Sequence, residues 1–467
     1  MRADLCVIGA GSGGLSVAAG AAQMGARVVL VEAGEMGGDC LNAGCVPSKA
    51  LIAAASRAEA VRSGGLGTRG AAPETDFAAV MAHVRATVAA IAPHDSQERF
   101  EGLGVTVIRA HARFIGRDRI EAGGQEVTAR RFVVATGARP VLPDIPGLAD
   151  TPHLTNETLW SLDTLPGHLA VLGGGPLGLE MAQAFRRLGA RVTVLEAGQA
   201  LSREEPELAS FVLSRLRAEG VEIRENTPVR AVRQANGEIA VETENATITA
   251  DRLLIAAGRR PATAGLGLER AGVETGPDGA VRVDARLRST NRRIFAVGDV
   301  AGLGQFTHLA GYHAGLVVRA ALLGLPARLR HDHVPRVTYT DPELAQVGLT
   351  EAQARAKWPT GIETILTPLA GNDRARTEGL TGGALKLVLR KGRPVGVGIC
   401  APGAGEMIGL WSLALATRRK LTALPSTILP YPTLSEVSKS AAGAYFSPRV
   451  FDNAWLRRWV RVIQSLP

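Results

Sequence analysis

Short apolar runs alternate with helices of small residues through the first three hundred positions. Leu5-Cys6-Val7-Ile8 carries no polar interruption, the pattern of a strand buried on both faces of a parallel sheet. Gly9-Ala10-Gly11-Ser12-Gly13-Gly14 follows, then a small-residue helix from Leu15 to Met24 and a second apolar run, Val28 to Val31, that ends in Glu32. The same unit recurs as Leu169 to Leu172, Gly173-Gly174-Gly175-Pro176-Leu177-Gly178, a helix, Val192 to Leu195 and Glu196. Each copy closes with a strand running into a small-residue turn, Phe132 to Gly137 and Leu253 to Arg259. Ile294 to Val297 is a further strand, leading into Gly298-Asp299, and Ile145-Pro146-Gly147 reads as a linker. Strands alternating with helices predict an α/β chain built on doubly wound parallel sheets.

The glycines change this from a fold statement into a chemical one. Strand, glycine loop, helix, strand and acid together form a dinucleotide-binding unit. The glycines allow a tight turn and close approach of a pyrophosphate to a helix N-terminus, and the acid bonds an adenosine ribose. Both copies keep the glycines, at Gly9, Gly11 and Gly14 and at Gly173, Gly175 and Gly178, and both keep the acid, Glu32 and Glu196. Two complete units imply two dinucleotides. Ligands of such sheets lie beyond the carboxyl ends of the strands, so Asp299 is a candidate acceptor for cofactor hydroxyls, with helix capping as its rival role.

Composition narrows the class. A chain of 467 residues predicts two to four domains. Its net charge of +9 comes from Arg spread along the chain, and aromatics are only 4%, so base-stacking surfaces and nucleic-acid binding are not expected. No apolar run reaches the 18 or so residues of a membrane span. The chain enters its first motif by residue 5, so no signal peptide is expected and the protein is read as cytoplasmic.

Of four cysteines, Cys40 and Cys45 sit five positions apart. A close-set pair in a cysteine-poor chain is redox-catalytic or metal-binding, and no His or further Cys lies near enough to complete a tetrahedral metal set. No metal site is expected. Lys49 follows closely, one of six lysines among 53 basic residues and the only one in the first 356. A compact ammonium where Arg is used elsewhere predicts a point charge required by geometry. Cys6, inside an apolar strand, reads as packing, as does Cys400 at the end of another apolar run.

The stretch Gly37-Gly38-Asp39-Cys40-Leu41-Asn42-Ala43-Gly44-Cys45-Val46-Pro47-Ser48-Lys49, set between two nucleotide units, resembles the flavoprotein disulfide reductases of the dihydrolipoamide dehydrogenase, glutathione reductase and mercuric reductase group. The likeness covers essentially the whole chain. It implies an FAD-binding domain at 1–148, an NAD-binding domain at 149–262, a return to the central domain at 263–333, and an α+β interface domain at 334–467 that makes a homodimer. It implies that Gly9, Gly11, Gly14 and Glu32 hold the ADP half of FAD, with Ala112, Thr136 and Gly137 nearby and Asp299 on the ribityl chain. Gly173, Gly175, Gly178, Glu196 and Gly258 fall where the family binds the nicotinamide nucleotide, and the acid at Glu196 favours NADH over NADPH. Lys49 falls facing the flavin, paired with Glu180. Cys45 is the flavin-proximal thiolate and Cys40 exchanges with a disulfide or dithiol substrate.

Departures from the family pattern bear on chemistry. Asp39 replaces the usual Thr or Ser, and either disfavours a Cys40 thiolate or, as the stronger expectation, caps a helix. A C-terminal His that serves as base, oriented by a Glu five residues on, is here Tyr431, with Glu436 retained. All nine histidines lie at or before His333, so none in the interface domain replaces it. Tyr at this position resembles mercuric reductases, which also carry a terminal cysteine pair that this sequence lacks. Three acceptor classes therefore stand: a disulfide or dithiol, a soft metal ion, or a protein partner of an electron-transfer or redox-sensing subunit. The segment Phe451 to Leu466 is amphipathic, with Trp455, Trp459 and Ile463 on one face and Arg457, Arg458 and Arg461 elsewhere. Packing against the dimer is the expectation, ahead of a membrane-surface or partner contact.

Overall fold

In a computed structural model, which describes residues 1–235 and 237–466, the chain forms three sheet-based units. The first is a sheet in the order Thr106–Arg109, Val28–Glu32, Arg2–Ile8, Gln125–Val134. It is extended in parallel by Ile294–Ala296 and, along the other half of the long strand Gln125–Val134, by an antiparallel hairpin of Ala112–Gly116 and Arg119–Ala122. Leu5, Cys6 and Val7 are all buried, as a strand covered on both faces requires. Burial raises the Cys6 thiol far above its ordinary range.

The second unit repeats the plan: a parallel sheet in the order Glu222–Arg224, Arg191–Leu195, His168–Leu172, Arg252–Ile255. Helix Pro176–Leu188 covers one face. A three-stranded antiparallel sheet packs its Val232, Val241 and Ile248 onto Ala170, Leu195 and Leu253. The closing strands of both units continue into Ala138–Pro140 and Arg259–Pro261, which pair with each other and tie the two units together.

The third unit is an antiparallel sheet in the order Pro335–Thr338, Glu343–Gly348, Arg393–Ala401, Ala384–Arg390, Ile362–Pro368. Helices Ala404–Ala416 and Glu436–Phe451 cover one face, burying Trp411 and Val437 against Leu385, Leu387 and Ile399. Cys400 is fully buried in the sheet's other layer with Leu208 and Leu344. The amphipathic helix begins later than expected, at Ala454–Gln464, because Asn453 caps it and Phe451 ends the preceding helix. No described helix is long and apolar enough to cross a membrane.

Alternation along Ala384–Arg390 sends Leu385, Leu387 and Leu389 into the core and Lys386 to the opposite face. There the Lys386 ammonium, 4% exposed, meets Glu205 at 3.0 Å, Glu207 at 2.7 Å and Glu351 at 2.8 Å. Glu205 also accepts the backbone N–H of Glu351 at 2.6 Å. Burial alone would lower the lysine's pKa, but the three carboxylates raise it, so it stays charged. Removing one partner of a buried ion cluster leaves an uncompensated charge. Lys386→Met is expected to cost about 3 kcal/mol in chemical denaturation; a loss below about 1 kcal/mol would mean that the carboxylates find water or other donors.

Candidate active site

The two glycine loops are built alike. Gly9 and Gly173 adopt φ of +106° and +117°, and a Cβ on either would lie 2.4 or 2.5 Å from a carbonyl of the adjacent closing turn. A Cβ on Gly14 or Gly178 would lie 1.9 or 2.0 Å from the carbonyl of that first glycine. These four glycines are demanded by the fold itself. The middle glycines differ. A Cβ on Gly11 meets nothing closer than 3.9 Å, and one on Gly175 meets nothing within 4 Å. Nothing in the chain requires their bareness, whereas a pyrophosphate lying over the loop would. Each acid braces its loop: Glu32 accepts from the N–H groups of Ala10 and Gly34, and Glu196 from those of Gly174 and Gly198.

A cleft of about 1390 Å³ runs from Glu32 and the first loop to Cys40, Cys45 and Lys49. Gly9, Gly11, Ala112, Thr136, Gly137, Glu180 and Asp299 also line it. Gly14 does not, since it packs beneath the loop. Gly173, Gly175, Gly178, Glu196 and Gly258 also lie outside this cleft, which the second unit enters through Asn156, Glu157, Pro176, Leu177, Glu180 and Arg259 to Ala262. The shape and the bare middle glycine fit an extended dinucleotide in the first unit. Burial raises the Asp299 carboxyl to about 6, with Arg259 opposing. Asp299 caps no helix: the cap position of Gly298–Ala301 is Val297, without a side-chain bond.

Cys45 opens helix Cys45–Ser63, and Cys40 lies in the short helix Gly38–Asn42. The two thiols are hydrogen-bonded, and they share their proton unequally. The bond from Cys40 lowers Cys45 to about 6, helped by Thr307, whose Oγ1 lies 3.3 Å from Cys45 Sγ, and by the Lys49 charge. Cys40, bonded to a neighbouring thiolate and partly buried, is pushed strongly up. A thiolate at the first position of a 19-residue helix also meets the positive end of the helix dipole.

Lys49 donates to Glu180 Oε2 at 2.7 Å and sits 4.2 Å over the Tyr339 ring. Asp39 does not cap either helix, whose cap residues are Gly37 and Gly44 without side-chain bonds. Its carboxylate accepts from Asn156 Nδ2 at 2.9 Å and faces Arg259 at 3.2 Å, both in the second unit. The capping expectation fails because two long-range donors compete for the same oxygens. Asp39 does act electrostatically, opposing the Cys45 thiolate.

Tyr431 is not part of the cleft within one chain. It is 71% exposed, and its hydroxyl bonds to Asp373 Oδ2 at 3.2 Å. That carboxylate raises the phenol's pKa further, so it stays protonated near neutrality. Glu436 does not orient it, being engaged with the Thr433 N–H at 3.4 Å. Thr307, Asn156, Arg259 and Asp373 were not singled out from sequence. All four act through contacts across long chain separations that no local pattern announces.

One nucleotide loop opening into the cleft of a cysteine pair, with a second such loop in the adjoining unit, defines a two-nucleotide thiol redox enzyme. The chain belongs to the pyridine nucleotide-disulphide oxidoreductase family: that family model matches residues 3–314, and its dimerisation domain matches 334–442. It is 38% identical over 459 residues to a mercuric reductase of Streptomyces lividans, covering 95% of this chain and 96% of that protein. It is 35% identical over 457 residues to a dihydrolipoyl dehydrogenase of Geobacillus stearothermophilus, covering 95% and 96%. Among solved structures, the HOCl-induced flavoprotein disulfide reductase RclA from Escherichia coli superposes with TM-score 0.85 at 32% identity, covering 94% and 99%. The protein is therefore an NAD(P)H-dependent flavoprotein disulfide oxidoreductase, an enzyme class that uses FAD and NAD(P)H.

The glycine geometry separates fold from binding. Gly178→Ala is expected to lower the unfolding midpoint, because a Cβ 2.0 Å from a carbonyl forces the loop open at about 1–3 kcal/mol. Gly175→Ala should leave that midpoint unchanged and raise KM for the nicotinamide nucleotide several-fold. Equal effects of both on stability would refute the assignment of the open side to a ligand.

Proposed function

We propose that this enzyme runs in the reducing direction, passing two electrons from NADH through the Cys40–Cys45 pair to a disulfide acceptor. The observation that carries the proposal is the proton inventory: a thiolate at Cys45, a thiol at Cys40 and a protonated phenol at Tyr431. FAD, held by Gly9, Gly11, Glu32 and Asp299, supplies the two-electron relay between nicotinamide and the cysteines. Lys49, fixed by Glu180, keeps a positive charge beside the thiolate. Glu196 supports NADH over NADPH, since a carboxylate at the ribose repels a 2′-phosphate.

Disulfide reduction needs no external base. Cys40 passes its proton to the Cys45 thiolate as it attacks one substrate sulfur, forming a mixed disulfide and breaking the substrate S–S bond. The first leaving sulfur takes that proton back from Cys45. Cys45 then attacks Cys40, closing the Cys40–Cys45 disulfide and expelling the second sulfur with its electron pair. In a homodimer built as in the family, Tyr431 donates a hydrogen bond to that leaving sulfur across the interface. The reverse reaction, dithiol oxidation, requires a proton acceptor where this chain offers a donor. A cytoplasmic setting, where thiol pools are kept reduced, suits the reducing direction.

A second reading is supported by the mercuric reductase relatives together with the phenol at 431. Cys40 and Cys45 would then take the soft metal ion as thiolates. Cys400, the last cysteine, is fully buried, so it cannot pass an ion inward. This ranks the metal reading below the disulfide reading. A screen of lipoamide, glutathione disulfide and Hg(II) with NADH separates the two.

The Cys45 thiolate should be visible. Protein holding FAD and reduced by two electrons is expected to show a long-wavelength thiolate-to-flavin absorbance band that fades as pH falls through about 6. The sign follows from a lowered pKa: the thiolate persists above that value and is protonated below it. Cys40→Ser should keep the band, whereas a band surviving Cys45→Ser would reverse the two roles.

Tyr431 supplies the directional test. Dihydrolipoamide oxidation is expected to be slow near pH 7 and to rise toward high pH, where substrate thiols ionise. Tyr431→His should recover part of the 10²–10⁴-fold that a positioned base contributes, leaving FAD reduction by NADH unchanged. If Tyr431→Phe leaves both directions untouched and His brings no gain, residue 431 takes no part in proton transfer. Loss of Hg(II) reduction alone in the Phe variant would promote the metal reading.

A further inference from the structure

Among the described residues, helix Ala454–Gln464 touches little beyond the end of the helix before it. From Ser447 to Leu466 every residue except Leu456 is exposed. Trp455 and Trp459 stack in parallel, 5.9 Å apart, and remain 66% and 52% open to solvent. At 100° per residue, Trp455, Trp459, Ile463 and Leu466 fall on one side, with Val462 and Leu456 flanking them. Arg457, Arg458 and Arg461 fall together on the other. The helix holds no carboxylate. Arg458 and Arg461 have no acidic partner among the described residues, and Arg457 has only Asp452 at 3.5 Å. Neither indole N–H finds a protein acceptor among the described residues. The segment also lies beyond the match to the dimerisation domain, which ends at residue 442.

We propose that this helix docks the enzyme on an anionic lipid surface, lying in the plane of the interface. The chemistry is complementary on both sides of the helix. Tryptophans prefer the headgroup level, where the ring body is buried and the N–H stays wet. An all-arginine polar face suits phosphate headgroups, and amphipathic helices of this composition lie on bilayers rather than cross them. A second copy of this helix would bring the same arginine stripe with no carboxylate to meet it, whereas an anionic surface attracts both. A dimer carries two such helices, which strengthens attachment without any new contact.

The test uses the full-length, FAD-loaded protein and vesicles of phosphatidylcholine, with and without 30% phosphatidylglycerol. Co-sedimentation is expected only with the anionic vesicles, with a blue shift of tryptophan emission and release by added salt. Arg458→Glu/Arg461→Glu should weaken binding at least about tenfold, and Trp455→Ala/Trp459→Ala should abolish it. NADH oxidation should be unchanged in both, since these positions lie outside the cleft. Failure to bind anionic vesicles overturns the proposal. So does a tryptophan variant that turns monomeric by light scattering, which would make the helix a subunit contact.

Discussion

Glu180 holds the molecule's three units at one point. One carboxylate oxygen accepts from Lys49 on the helix that begins at Cys45, and the other from the Tyr339 N–H at the entry of the third unit, 2.9 Å away. Glu180 itself belongs to the helix of the second glycine loop. The carboxylate is 5% exposed while the Lys49 side chain is 36% exposed, so the pair is only partly shielded from the screening that makes surface ion pairs nearly worthless. Its value is positional. It fixes an ammonium beside a cysteine thiolate and draws that ammonium from a helix whose first residue is the cysteine.

The same helix repeats the device along its length. Gln183, one turn on, donates to the Asp341 carbonyl and accepts the Asp341 N–H. Arg187, a turn further, bonds Glu219 within its own unit, Asp341 in the third and Ser56 in the first. Residues at i, i+3 and i+7 share one helix face, so a single polar stripe fastens the nucleotide loop to both neighbouring units. Buried polar networks of this kind are expensive unless every member is satisfied. Those satisfied contacts give the cleft one geometry.

Legibility in the sequence followed the range of the interaction. Both glycine loops, their acids and the cysteine pair were readable because each depends on residues within about two dozen positions. The parallel pairing of the two nucleotide sheets follows from the doubly wound pattern. What stayed hidden acts at long range. Asp39 looked like a cap because the residue type suits one, yet Asn156 and Arg259 claim its oxygens from more than a hundred residues away. Glu436 looked like the partner of residue 431 because the spacing suits a histidine there, yet the phenol reaches Asp373 instead. Lys386, a lone lysine in an apolar strand, gave no sign that three acids from two other segments would converge on it.

The environment of Asp39 bears on why this cysteine pair holds its charge as it does. A carboxylate beside a thiolate disfavours ionisation, and here it opposes the Cys45 thiolate. Arg259 pairs with that carboxylate at 3.2 Å, and the Lys49 charge favours the thiolate. The thiolate therefore sits with one opposing anion, Asp39, and one supporting cation, Lys49, each held by partners from outside the cysteine loop. A neutral Thr or Ser at position 39 would leave the Arg259 guanidinium, 19% exposed, without its carboxylate. The acid at 39 and the arginine at 259 are thus best understood as one unit, a paired charge that links the cysteine loop to the second nucleotide unit. That coupling lets the closing turn of one nucleotide unit set the position of the loop that carries the chemistry of the other.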